Sequence, residues 1–296
     1  MNTSEVIELA CHHLQNLQGT VFDDISLAKP HGAKAAVNLT KIISKLSPFV
    51  GNLIEFNVVE FLNELEEFKP FGFWKRQDPD FPDALFEGGA VPAPGFEIKT
   101  WFPLATEITA RFKDSQNNFQ YDQTYVVMLS WLPEFLIHGQ PHVTDIMIVS
   151  GLSVAQARDT HYHKPPGYLV LEPEDTTTRT RNLQQTNTNG YKFQGTLSEF
   201  EEAMKVVETW GEDGLIYRPT QEYQRQIREL VEKYRYRLDT NFAKMDRIVH
   251  SDIEVFKSKV YNAPYMGMTV AEWKRVLTSN NDLLIQQALQ QNLGIN

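Results

Sequence analysis

Apolar side chains recur at helical spacing through the first quarter of the chain. They fall roughly on one face over residues 4–18 and again over 33–47. Pro48 is expected to interrupt the second stretch or to begin the next helix, because proline cannot donate a helical hydrogen bond. Residues 50–68 carry a third apolar stripe at helical spacing. We therefore predict a helical N-terminal part.

The middle of the chain is instead rich in β-branched and aromatic residues. Residues 83–101 contain two short apolar runs separated by glycine and proline, which predicts a hairpin with a loose loop. Two more strands are expected at 125–132 and 143–149, and a further one at 167–172. A short helix is expected at 152–160, between the strands at 143–149 and 167–172.

The helical period returns near the end of the chain. The expected helices there cover 197–210, 219–248, 251–260 and 269–291. Helices, then strands, then helices again predict an α/β (α+β) fold, with a central mixed β-sheet flanked by helices in a single domain, 1–296. Its three parts are expected to be a helical N-terminal part over 1–49, the core with a loop that follows it over 50–195, and a helical C-terminal part over 196–296.

Composition and charge narrow the class of protein. The 296 residues are 42% hydrophobic and 22% charged, which is typical of a globular enzyme. The single cysteine, Cys11, excludes an intrachain disulfide framework and a multi-cysteine zinc site. Neither a signal peptide nor an uninterrupted apolar membrane span is evident, so we expect a soluble, cytoplasmic protein with no membrane partner. The net charge of −10 counts against a general nucleic-acid coat.

One stretch of the strand-rich part carries candidate chemistry. Pro82-Asp83 is followed, after thirteen residues, by Glu97-Ile98-Lys99. Because side chains alternate along a strand, Glu97 and Lys99 should share a face, and a closed hairpin would bring Asp83 beside Glu97. Two carboxylates and a backbone carbonyl suit Mg²⁺, a hard cation that takes few protein oxygens. A lysine beside them could hold or help deprotonate a water molecule.

This arrangement resembles the PD-(D/E)xK nuclease superfamily, to which many type II restriction endonucleases belong. The motif-bearing part of the resemblance covers residues 50–132. It implies a restriction-endonuclease-like core in which Asp83 and Glu97 bind Mg²⁺ with the Ile98 carbonyl. It also implies that Lys99 orients the nucleophilic water and that the products carry a 5′-phosphate and a 3′-hydroxyl.

Members of this superfamily often add an acidic residue from the preceding helix. Glu55 fits that role best here, with Glu60 as the alternative. Asp80 also follows a proline, but Asp83 is preferred because an apolar run follows it directly. The competing interpretation is structural, with Glu97 and Lys99 as an ordinary surface pair on an exposed strand.

A later segment has the composition of a DNA-reading loop. Residues 176–195 contain no acidic residue in a chain that is acidic overall. Amide side chains can bond adenine edges, and arginine can bond guanine. The candidate contacts are Arg179, Arg181, Asn182, Gln184, Gln185, Asn187, Asn189 and Lys192. The alternative is a solvated surface loop, which has a similar composition.

Two further groups of basic residues are candidates for phosphate contacts. The first is Arg111, which follows the motif. The second is a small basic group that consists of Arg158, His161, His163 and Lys164. For that group the alternative is plain protein surface. A metal pair formed by the two histidines lacks a nearby third ligand with suitable spacing.

Together these features predict a Mg²⁺-dependent type II restriction endonuclease that cuts double-stranded DNA at a short specific site. Two-fold symmetric proteins match palindromic sites, so a homodimer is expected. In a prokaryotic host, a cognate DNA methyltransferase gene would accompany it. The alternatives are a repair or recombination nickase of the same superfamily, or a non-catalytic DNA-binding protein.

Overall fold

The computed structural model describes most of the chain, and for Tyr162 and Asn189 the backbone alone. The described residues are 1–77, 81–104, 116, 119, 121–171, 189–211, 220–239 and 248–295. They form two compact units. Unit 1 comprises Met1–Thr109, Gln123–Ser150 and Ser251–Asn296, and unit 2 comprises Ala110–Asp122 and Gly151–His250. The expectation of a single domain stays a prediction.

Helices and strands alternate in blocks along the chain. The helices are α1 Thr3–Gln15, α2 Ala33–Glu64, α3 Gly151–Tyr162, α4 Leu197–Glu208, α5 Gln221–Lys233, α6 Ser251–Asn262, α7 Val270–Leu277 and α8 Asp282–Leu293. The strands are β1 Gly72–Arg76, β2 Ala84–Gly88, β3 Gly95–Trp101, β4 Thr124–Pro133, β5 Pro141–Ser150, β6 Tyr168–Leu171, β7 Asn189–Phe193, β8 Tyr236–Leu238, β9 Pro264–Tyr265 and β10 Met268–Thr269. The mixed α/β composition agrees with the predicted class.

Unit 1 is built on a five-stranded sheet in the order β1-β2-β3-β4-β5. Neighbouring strands are antiparallel except β3 and β4, which are parallel, so the predicted mixed sheet is confirmed. Helices cover both faces. Gly51 of α2 lies against Thr100 on one face, and on the other face the ring of Trp101 contacts Phe256 and Tyr261 of α6. Adjacent strand residues point to opposite faces, which accounts for this division.

Helix α2 is one continuous helix through Pro48, so the predicted interruption is wrong. A proline at this position removes the hydrogen bond to the carbonyl of Ser44, four residues earlier. The Ser47 hydroxyl donates to that carbonyl instead, at 2.9 Å. The helix also buries apolar residues on both sides of the proline, among them Ile43 and Ile54. Packing against the sheet therefore holds the helix together where its local sequence would break it.

Unit 2 has a three-stranded antiparallel sheet in the order β6-β7-β8. Its apolar core comprises Leu169, Ala203, Val207, Tyr223, Ile227 and Leu230. The sheet includes two strands that the sequence pattern did not predict. Strand β7 forms the end of the segment predicted as a DNA-reading loop, and β8 lies within the helix predicted for 219–248. That helix ends at Lys233 because the following residues pair with β7.

Two further differences concern the ends of unit 1. The predicted helix 269–291 is two helices, α7 and α8, and the cap of α8 is Asn281, whose side chain accepts the Leu284 N–H. Strand β1, of five residues, was not predicted at all. None of the helices within the described ranges is long and apolar enough to cross a membrane.

Candidate functional site

The predicted hairpin exists, and its register sets the positions of the motif residues. Ala84 of β2 pairs with Phe96 of β3. Continuing that register by one residue places Asp83 opposite Glu97, where cross-strand side chains lie close together. The Ile98 N–H donates to Asp83 Oδ2 at 2.7 Å. The hydrogen bonding between β2 and β3 is therefore extended by the side chain of Asp83, one residue before β2 begins.

Lys99 brings the two carboxylates together. Its Nζ donates to Asp83 Oδ2 at 3.3 Å and also contacts Glu97 Oε1 closely. The Lys99 side chain is 41% exposed, and the side chains of Asp83 and Glu97 are 20% and 13% exposed. We refer to Asp83, Glu97 and Lys99 as the Lys99 cluster. The cluster is therefore half-buried in the sheet yet accessible from solvent.

Electrostatics fix the charge of this lysine. Burial works to lower the pKa of Lys99, but the charges of Glu97 and Asp83 outweigh it and raise that pKa well above its usual range. In the arrangement seen here the side chain is thus an ammonium group. It can donate hydrogen bonds and offset negative charge, and it cannot accept a proton in this state.

Glu55 of α2 lies close enough to sense the same charges. Burial raises the pKa of Glu55 and the Asp83 charge raises it further, while Arg76 and Lys99 act in the opposite direction. Glu60, the alternative, is exposed one and a half turns further along the helix. The structure therefore places Glu55, rather than Glu60, beside the Lys99 cluster.

Arg76 is the neighbour that the sequence interpretation missed. It ends strand β1, and its guanidinium contacts Glu55 Oε1 through Nη2 at 3.1 Å and Nε at 3.3 Å. Nothing in the motif spacing points to Arg76, since β1 itself was not predicted. The available signal was a basic pair, Lys75-Arg76, directly before the run QDPDFPD at 77–83, which contains three aspartates.

The donor chemistry of the Lys99 cluster fits Mg²⁺. Carboxylate oxygens of Asp83 and Glu97 both contact Lys99 Nζ, so they converge on a position where a cation is stable. The N–H and C=O of one strand residue point to the same neighbour, so the Ile98 carbonyl is directed to the side of Asp83. Continuing the register places Pro82 opposite Ile98, and proline has no N–H to donate to that carbonyl.

Within the described ranges, no three His, Cys, Asp or Glu side chains are grouped closely enough to hold a metal ion. The expected ligand set has two such side chains and a main-chain carbonyl, which suits a cation that keeps several waters. Asp78 and Asp80, the other aspartates of the run, lie outside the described residues.

Most of the predicted DNA contacts also lie outside the described residues. These are Arg111, Arg179, Arg181, Asn182, Gln184, Gln185 and Asn187. Asn189 and Lys192 belong to β7, so the loop interpretation is wrong for that part of the segment. The Lys192 side chain is exposed. Lys164 is exposed too, and its backbone pairs with Tyr168.

The small basic group near Lys164 lies only partly on the surface. Arg158 and His163 are buried, with 0% and 2% of their surface exposed. The Arg158 guanidinium pairs with the neighbouring carboxylate of Asp159. That carboxylate also accepts the Gln116 N–H at 2.9 Å. The prediction of a phosphate contact or plain surface is therefore wrong for Arg158 and His163, because packing of unit 2 encloses them.

Comparison with protein-family models, curated protein sequences and solved structures finds no match for this chain.

Proposed function

We propose that this protein is a Mg²⁺-dependent deoxyribonuclease with a restriction-endonuclease-like core, acting at a short specific site in double-stranded DNA. The observation that carries the proposal is the convergence of Asp83 and Glu97 on Lys99 Nζ. Sheet topology adds support, since the carboxylates and the lysine lie on a β-hairpin that packs against a helix bearing Glu55.

Each residue of the site has a distinct task in this proposal. Asp83 and Glu97, with the Ile98 carbonyl, would hold Mg²⁺. The bound ion would supply Lewis-acid activation of water and would neutralise charge on the phosphate. Lys99, as an ammonium group, orients the attacking water and offsets the charge that develops on the phosphate oxygens. Glu55 adds a further acceptor at the edge of the site, and Arg76 fixes its orientation.

The proposed products are a 5′-phosphate and a 3′-hydroxyl. Sequence recognition is assigned to the acid-free segment of 176–195, with Arg111 and Lys164 as phosphate contacts. A homodimer would place two such sites on the two strands of a palindrome. The cellular setting in this proposal is the prokaryotic cytoplasm, together with a cognate methyltransferase that protects host DNA.

The test is cleavage of supercoiled plasmid with Mg²⁺, compared with the same reaction in EDTA. A restriction enzyme gives discrete linear fragments, whereas a nickase of the same superfamily gives open circles. Asp83→Ala should abolish either product. Glu87→Ala is the matched control, because Glu87 also pairs with a lysine across strands of the same sheet, at 2.7 Å from Lys75 Nζ.

The outcomes separate the candidate functions. Loss of cutting in Asp83→Ala with normal cutting in Glu87→Ala supports the site. Plasmid that stays supercoiled with the wild-type protein on DNA of many sequences overturns the nuclease proposal and favours a non-catalytic DNA-binding protein. Normal cutting by Asp83→Ala places the active site elsewhere.

A further inference from the structure

Helix α2 carries an exposed apolar stripe along its outer face. Ile42, Phe49 and Phe56 are 50%, 57% and 45% exposed. They are seven residues apart, so they lie one above another along the helix. Val50 and Ile54, which face the core, are almost completely buried. Large apolar side chains aligned in this way on a surface mark an interaction site.

The charges on α2 are divided between its two halves. The first half, 33–48, contains three lysines and no acidic residue, namely Lys34, Lys41 and Lys45. The second half, 49–64, contains three glutamates and no basic residue, namely Glu55, Glu60 and Glu64. Phe49 stands at the division, in the centre of the apolar stripe. The outer surface of α2 is therefore positive at one end, apolar in the middle and negative at the other end.

This division opposes the dipole of the helix itself. Carboxylates stabilise the N-terminus of a helix and cations its C-terminus. The first turn of α2 has no acidic residue and the last turn has no basic residue. Within the described residues, Lys41 has a partner in Asp282 at 2.8 Å, and Glu55 has one in Arg76. An antiparallel helix with the same sequence would supply the missing charges at both ends.

We propose that the outer stripe of α2 is a self-association surface, on which the α2 helices of two copies pack antiparallel about a two-fold axis near Phe49. Such an interface is isologous, since each copy uses the same patch. Phe49 then meets the partner's Phe49, and Ile42 lies opposite the partner's Phe56. Lys34 of each copy lies opposite the partner's Glu64, in the acidic half of that helix. A parallel pairing would bring like charges together.

The position of this surface is inferred from the exposure and charges of α2, whereas the existence of a homodimer rests on the proposed function. The outer face of α2 from Lys34 to Glu64 is about 45 Å long at 1.5 Å per residue, which is long enough for an extended helix-helix contact. A second copy is favoured over a different partner because the complementarity is internal to one helix. An unrelated partner would have no reason to match a charge division centred on the apolar stripe.

The first experiment measures the oligomeric state of the full chain by analytical ultracentrifugation across a concentration series. We expect the wild-type protein to be a dimer and Phe49→Glu to be a monomer, with Ile42→Glu as a second variant at the same surface. Val255→Glu is the matched control, since Val255 is 68% exposed on α6, a helix on the other face of the sheet. Circular dichroism checks that each variant is folded.

The second experiment tests the direction of pairing. Lys34→Glu should raise the dimer Kd by about three- to tenfold, since two exposed charge contacts per dimer become repulsive. Adding Glu64→Lys to the same chain should restore affinity, because the opposite charges again face each other across an antiparallel pair. Restoration supports the proposal, whereas a further loss of affinity contradicts the antiparallel arrangement.

Failure of this proposal and failure of the proposed function give different results. A wild-type monomer, or a dimer that Phe49→Glu leaves intact, overturns the α2 surface whether or not plasmid is cut. A dimer that Phe49→Glu dissociates, but that does not cut DNA, supports the surface and overturns the nuclease.

Discussion

Each unit contains a basic side chain that contacts a carboxylate close to it in space. Solvent reaches this contact in unit 1, whereas in unit 2 the contact is buried. In unit 1, Lys99 contacts Asp83 and Glu97 and remains 41% exposed. In unit 2, Arg158 pairs with Asp159 and neither side chain is exposed beyond 1%. The sequence interpretation gave Lys99 a role at the nucleophilic water and placed Arg158 in a group of candidate phosphate contacts.

This difference distinguishes charged groups that a substrate can reach from charged groups that stabilise the fold. A charge that substrate can reach can exchange its partners, so its removal should affect activity more than folding. A charge enclosed by packing is costly to expose or to leave unpaired, so its removal should affect folding first. Four measurements test this distinction.

The largest expected effect is on catalysis by the Lys99 cluster. Lys99→Ala should slow DNA cleavage by about 10²- to 10³-fold, the usual cost of removing a positioned group that stabilises developing charge. The free energy of unfolding should change by about 1 kcal/mol or less, because the Lys99 cluster is half-exposed. Single-turnover cleavage and urea unfolding measure the two quantities.

Lys75→Ala is the control for Lys99→Ala, since Lys75 has a cross-strand carboxylate partner on the same sheet but no second one within the described residues. It should cleave at the wild-type rate. If Lys99→Ala cleaves normally while its stability falls sharply, the Lys99 cluster is a structural feature like the pair in unit 2.

The next effect concerns stability in unit 2. Arg158→Met should lower the free energy of unfolding by about 3–5 kcal/mol, because it leaves the buried Asp159 carboxylate without its cation. Denaturant unfolding measures the change. Arg225→Met, which removes an exposed arginine from α5 together with its ion pairs, should give an unfolding curve like that of the wild type. Equal curves for Arg158→Met and the wild type would contradict the structural role.

A smaller effect tests whether unit 2 also reads DNA. Arg179→Ala or Arg181→Ala should weaken binding to the specific site by about 1–3 kcal/mol if that arginine contacts a guanine. The measurement is binding to cognate and unrelated duplexes at fixed salt. An equal loss on both duplexes would identify a phosphate contact instead, and no loss on either would remove the segment from the interface.

The smallest effect is a pH dependence at Glu55. Because burial and Asp83 raise the pKa of Glu55, the folded state disfavours its charged form. Glu55→Gln should therefore be more stable than the wild type at neutral pH, and the difference should shrink as pH falls through the raised pKa towards the ordinary range of glutamate. Thermal unfolding against pH measures it, with the exposed Glu60→Gln as control. A gain that persists unchanged at low pH would have another origin.

Much of the fold could be predicted because its signals are local. The hairpin, strands β4 to β6 and the first helices follow from periodicity and from turn residues within short windows. The predictions failed where a distant segment decided the outcome. Strand β8 exists because β7 is beside it, and α2 continues through Pro48 because its two halves bury apolar residues in the same core.

Local sequence is sufficient to arrange Asp83, Glu97 and Lys99. They lie within seventeen residues of one another, and hairpin register with strand alternation brings them together by local geometry alone. Their neighbours, in contrast, depend on tertiary packing. Glu55 and Arg76 come from a helix and an edge strand whose packing no short window encodes, and Arg158 is buried by the assembly of unit 2. Periodicity is a property of adjacent residues, whereas burial and charge pairing depend on segments that meet only in the folded chain.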